Sequence, residues 1–243
     1  MLFVAIPVVS WIVVESACAW WTSLILGAVA SLYVGRGLLF ARERANSVAI
    51  TPRQYPEVYE RVISFSAGFG LEEIPDAYMV QEGGVLNEFA SKHHRTNYLR
   101  INADIFEVGI LDTRPRPRDQ EVLDFIIGHE LGHIAASHVT YWYTLVSGLM
   151  SYIPLLGAAL SRAKEFTADN YGCKVAPGGA HRGIMLLAGG KYLYRTVDPA
   201  QFAERAQSDR GLFLWFANAL SSHPILTKRL AAVDDRSRPG KLF

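Results

Sequence analysis

The sequence predicts a mainly α-helical fold with a small β-sheet, carried behind an amino-terminal membrane anchor. Three observations lead there. The first 35 residues hold one charged side chain, Glu15. Beyond them, apolar residues recur at helical spacing in most segments. Two short β-type runs, residues 77–81 and 97–102, stand among turn-formers.

The elements follow in chain order. Residues 16–35 form an uncharged run of about the 20 residues that a membrane-crossing helix needs. Trp20 and Trp21 stand near its start, where interfacial aromatics belong, and Arg36, Arg42 and Arg44 follow its end. Positive charge on that flank marks the cytoplasmic side, which predicts a cell (inner) membrane protein whose remaining chain faces the cytoplasm. Residues 1–14 are apolar but short, fitting a second helix of a hairpin or an interfacial segment. A cleaved signal peptide would begin with basic residues and would not be followed by a cationic cluster. An uncleaved anchor over residues 1–44 and a second domain over residues 45–243 are therefore expected.

Residues 52–70 read as a helix, with Val58, Val62, Phe65 and Phe69 on one face and Gly70 at its end. The two strands come next, and a short helix is expected over residues 103–111. Prolines make residues 113–120 a loop, and Asp119 is expected to cap the helix that follows. Further helices are expected over residues 162–173, 183–195, 199–220 and 225–233. A second uncharged stretch, residues 139–161, is long enough to span but is interrupted by Pro154 and Gly157. It fits a span, a re-entrant or surface-lying pair of short helices, or a core hairpin. A net charge of +1 and the lack of a basic patch with interleaved aromatics exclude a nucleic-acid partner. Two cysteines do not make a disulfide framework.

Residues 126–138 read IIGHELGHIAASH. Polar groups in so apolar a run need partners, and a metal ion satisfies several at once. His129 and His133 lie four apart, on one face of a helix, and Glu130 is about 100° round from His129. Two imidazoles can hold a zinc ion while the carboxylate takes a proton from the attacking water. Gly128 and Gly132 let another segment approach closely. His138 falls about 180° round the helix from His129 and is expected to point elsewhere. A third ligand is best sought at Glu165, in RAKEFTADNYG. Asp169 follows one turn later and can accept a hydrogen bond from the far nitrogen of His129. A solvated Glu/Asp face is the other reading of that pair.

HELGH, a hydrophobic interval, EFTAD and SSHPILTKRL occur in this order. Together they resemble the membrane-embedded zinc metallopeptidases of the HtpX heat-shock protease and CAAX prenyl protease type, over residues 52–233. The resemblance implies a gluzincin-type HExxH domain with one zinc ion held by His129, His133 and Glu165, and with Glu130 as general base. His223, in SHP, matches a family histidine over the cleft, where it would stabilise an oxyanion; capping a helix before Pro224 is the alternative. Arg229 matches a family arginine that pairs with a carboxylate or helps that oxyanion. VLNEFA resembles the family's Asn-Ala-Phe-Ala stretch, with Glu88 departing at its second position. In the related fold it borders an edge strand to which substrate adds. Asn87 then contacts substrate, or is a simple turn asparagine beside Gly83 and Gly84. The interval after His133 holds one apolar stretch where HtpX-type proteins carry two spans.

The expected function is membrane-anchored, zinc-dependent endopeptidase activity on misfolded or membrane-associated polypeptides, with the lipid bilayer as the other partner. A non-catalytic peptide-binding adaptor is one alternative, although such a relative should have lost Glu130 or a ligand. A processing peptidase for lipid-modified substrates is another, and it would need an enclosed intramembrane chamber.

Overall fold

The computed structural model describes residues 2–81, 89–111, 117–153, 155–237 and 240. Helix α1, Leu2–Asn46, is unbroken over 45 residues, so no hairpin forms among them. Within it, Val14–Asn46 is long and apolar enough to cross a membrane, and no other helix among the described residues is. Trp20, Trp21 and Leu24 are exposed on it.

The last turns of α1 belong to the folded domain. The sheet holds β1 (Val48–Ala49), β2 (Asp76–Val80), β3 (Phe89–His93) and β4 (Thr96–Asn102), in the order β1-β2-β4-β3. The β2–β4 pair is parallel and the outer pairs antiparallel, which makes β3 an edge strand. Tyr78 pairs with Arg100, and Ser91 with Tyr98, so these side chains share one face. That face carries α1. The Phe40 ring lies 4.8 Å from Tyr98 and 6.4 Å from Tyr78, Tyr33 lies 5.1 Å from His93, and Glu43 faces Arg100 at 3.7 Å. Ala77, Leu99 and Ile101 turn the other way, into a core shared with Val58, Val62, Leu123, Ile127 and Leu131. The sheet is thus a layer between α1 and the helical body. Strand β3 does not show a core pattern because Ser91 and His93 share the face that α1 covers.

Helix α2 spans Pro56–Gly68, starting after Tyr55 in the left-handed region (φ 61°). Helix α3, Ala103–Phe106, is capped by the Asn102 side chain and runs on into a wider π-type turn at Glu107–Leu111. Helix α4 spans Pro117–Ala135, so the expected loop is already helical at residue 117, where proline fits a first turn. Asp119 is not a cap. It is wholly buried and accepts hydrogen bonds from Tyr194, Arg182 and Arg195 at 2.9–3.1 Å. Helices α5 (Tyr141–Met150) and α6 (Leu156–Val175) fill the interrupted apolar stretch and continue beyond it. Together with Val29, Leu32 and Tyr33 of α1, Tyr141, Trp142 and Leu145 line an apolar pocket of about 260 Å³.

Helix α7 spans Ala180–Leu193, with a kink at Gly190. The long helix expected over residues 199–220 is two helices, α8 (Pro199–Ser208) and α9 (Leu212–Leu220), broken at Gly211 with φ 149°. Helix α10 is Leu226–Asp234. Arg162 of α6, wholly buried, donates to the carbonyls of Ala219 and Ser221 at 2.8 and 2.7 Å. That grip draws the SSHP segment back toward α6.

Candidate metal centre

Helices α4 and α6 touch through small residues. A Cβ on Gly128 would stand 3.1 Å from the Cα of Gly172, and one on Gly132 only 2.6 Å from the Cβ of Tyr171. Larger side chains would push α6 away; glycines let it lie against the HExxH face. Glu165 is thereby brought opposite His129 and His133.

One donor atom from each of these three residues lies within 4.8 Å of the others. The two Nε2 atoms are 3.3 Å apart, and each is 3.6 Å from an oxygen of Glu165. Bonds of about 2.05 Å in tetrahedral geometry separate ligand atoms by roughly 3.3 Å, so the spacing and the donor types fit zinc. Glu130 is 3% exposed, with Oε1 4.0 Å from Nε2 of His129.

Behind this group stands a buried ionic chain. His129 Nδ1 lies 2.9 Å from Asp169 Oδ1. Arg229 donates to both oxygens of Asp169, from Nε at 2.9 Å and from its second terminal nitrogen at 2.5 Å. Burial opposes charge on Asp169, but Arg229 and then His129 outweigh it and hold the carboxyl well below the usual range. Burial also opposes charge on His129, yet the Asp169 hydrogen bond and charge, with Glu165 and Glu130 behind them, hold its proton above the ordinary imidazole range. Binding a metal would release that proton. His133 behaves in the opposite way. Burial first, and then His129, His138 and Lys164, push it down to about 2.

A family model for peptidase family M48 matches residues 51–152 and 141–237, most of the chain. The chain belongs to peptidase family M48. Members of M48 are metallopeptidases, and the match does not distinguish the HtpX type from the CAAX type. No curated protein and no solved structure matches the chain.

Within this M48 peptidase the remaining sequence candidates fall in different places. His223 borders the three-donor group, its Nε2 3.9 Å from Glu165 Oε1, and its side chain is 65% exposed. It does not cap a helix: α10 starts at Leu226 without a side-chain cap. Arg229 is 6% exposed and pairs with Asp169, with Nη1 also 3.8 Å from Glu165 Oε2. Asn87 lies outside the described residues. His138 does not point elsewhere. Helix α4 ends at Ala135, the chain reverses at Ser137, and His138 Nδ1 arrives 3.0 Å from Nδ1 of His133. Helical geometry could not find it, since it lies beyond the helix. The signal would have been a histidine three residues after a possible helix end.

Proposed function

We propose that this M48 peptidase is a membrane-anchored zinc endopeptidase that hydrolyses misfolded or membrane-associated polypeptides, as HtpX-like quality control requires. The observation that carries the reading is one metal-sized group of His129, His133 and Glu165 with the Glu130 carboxylate beside it. His129, His133 and Glu165 would hold one zinc ion. Zinc, when bound, polarises the scissile carbonyl and lowers the pKa of the attacking water. Glu130 accepts the proton of that water and returns it to the leaving amine. Asp169 orients His129, and Arg229 keeps Asp169 ionised. His223, exposed beside Glu165, would donate to the oxyanion as it forms. Asn87, just before edge strand β3, would contact a polypeptide lying alongside that strand.

Exposed apolar side chains support a bilayer as the second partner: Trp20 and Leu24 on α1, Trp142 and Leu149 on α5, Leu212 and Phe213 on α9. Arg42 and Arg44 support a cytoplasmic catalytic domain in the cell (inner) membrane. Arg36 is buried against the protein and adds less to that rule.

The test uses detergent-purified full-length protein. About one zinc per chain is expected, with cleavage of casein or of the chain itself that a chelator abolishes and added zinc restores. Peptide binding without zinc and without cleavage would favour the adaptor reading instead. A periplasm-dependent reporter fused after Phe243 should be silent; an active fusion reverses the orientation.

A further inference from the structure

The carboxyl end of α4 closes in a Schellman turn. The His138 N–H donates to the His133 carbonyl and the Ser137 N–H to the Ile134 carbonyl, each at 2.9 Å, while Ser137 takes φ 61°. These are the two reversed bonds of that motif, which fold the residue after the left-handed position back over the residue five before it. That contact is usually apolar. Here both positions hold histidine, with ring centroids 5.2 Å apart and Nδ1 facing Nδ1 at 3.0 Å.

Two imidazole nitrogens at that distance share one proton, and its location decides what the other side of His133 offers. A neutral imidazole carries its proton on one nitrogen only. If His138 donated, the His133 proton would sit on Nε2, facing Glu165 and His129, and would block a metal there. If His133 donates from Nδ1, its Nε2 lone pair faces inward, and His138 carries its own proton on Nε2.

We infer that His138 is a positioning residue: it accepts the Nδ1–H of His133 and so fixes the tautomer and ring plane in which His133 can ligate. The inference rests on the zinc reading above. His138 does for His133 what Asp169 does for His129, with a neutral acceptor in place of a charged one. The segment that carries it is held from outside. Arg36 of α1 donates to the Val139 carbonyl at 2.8 Å and to Thr144 Oγ1 at 2.5 Å, with its guanidinium 4.6 Å above the Tyr141 ring. The Tyr141 hydroxyl accepts from the His94 N–H at 3.0 Å, and Tyr143 packs 5.3 Å from the His138 ring.

Zinc competition against a chromogenic chelator, on detergent-purified full-length protein, tests this. His138→Leu removes the acceptor and should weaken zinc about 10- to 100-fold, the range for lost ligand-orienting partners. His138→Gln restores an acceptor oxygen and should recover most of that loss. The visible spectrum of the cobalt-substituted protein should change in the Leu variant and return toward wild type in the Gln variant. Wild-type affinity and spectrum in His138→Leu would overturn the inference while leaving the zinc reading intact. Wild-type protein unable to take up one zinc would overturn both. Should His138→Leu fail to fold, long-range proton–nitrogen NMR of the zinc-loaded wild type decides: His133 protonated at Nδ1 supports the inference, and protonation at Nε2 overturns it.

Discussion

His129 and His133 sit one turn apart on the same helix, face the same point, and are held in unlike ways. His129 is backed by a charged chain, Asp169 and then Arg229, inside the protein. His133 is backed by a neutral imidazole on the turn that ends the helix. Their proton affinities move apart, His129 up through Asp169 and His133 down to about 2 through burial first and then its neighbours. The difference teaches that a residue repeated in the sequence need not have a repeated environment. His129 meets buried charges from α6 and α10, and His133 meets a side chain brought in by local chain reversal.

The largest effect is expected at Glu130, whose carboxylate lies 4.0 Å from Nε2 of His129. Glu130→Gln should lower turnover about 10²- to 10⁴-fold with zinc retained. Loss of zinc together with activity would mean that Glu130 supports a ligand instead of acting as the base. Next comes the charged side. Asp169→Asn should weaken zinc about 10- to 100-fold, measured by chelator competition. An unchanged affinity would break the comparison, because His129 would then need no charged backing.

Acid–base behaviour sharpens the contrast in metal-free protein. The imidazolium of His129 is favoured by folding, so its contribution to stability is full below pH 6.5 and is lost as pH rises through its raised folded value. Folding favours neutral His133. Its contribution is present above pH 6.5 and is lost as pH falls from there toward about 2. Histidine-resolved NMR titration should therefore show His129 titrating above 6.5 and His133 still neutral well below it, and Asp169→Asn should bring His129 down. Two histidines titrating together would remove the distinction.

A smaller effect tests the frame common to both ligands. Gly132→Ala places a methyl against Tyr171 and should cost about 1–3 kcal/mol of stability, read by thermal melting of the metal-free protein. The smallest tests the turn alone. Ser137→Gly relieves a left-handed serine and should raise the melting temperature, by less than about 1 kcal/mol of stability.

The sequence made α4 and its inward face legible because a four-residue spacing maps directly onto one side of a helix. Glu165 and Asp169 were legible for the same reason, one turn apart on a second helix, and the glycines at 128 and 132 announced a close neighbour. Less could be read where tertiary contacts override local pattern. Asp119 looks like a cap beside a proline loop, yet three side chains from distant sequence surround it. Strand β3 has polar residues where a core pattern was sought, since α1 covers them. His138 was hidden because the reversal falls on serine, not on the glycine that usually marks such an end.

Helix α1 has no break between its apolar run and the sheet that it covers. At 1.5 Å per residue, residues 16–35 measure roughly 30 Å, the thickness of the hydrocarbon layer. Arg36 comes next and grips Val139, one residue beyond His138. If residues 16–35 cross a bilayer as proposed, this unbroken helix would set the height of the candidate metal centre over the lipid. Under the proposed membrane placement, the enzyme cannot reach outward for its substrates. Polypeptides would qualify by coming down to that level, and distance from the membrane would become a filter on what is cut, alongside any preference for sequence.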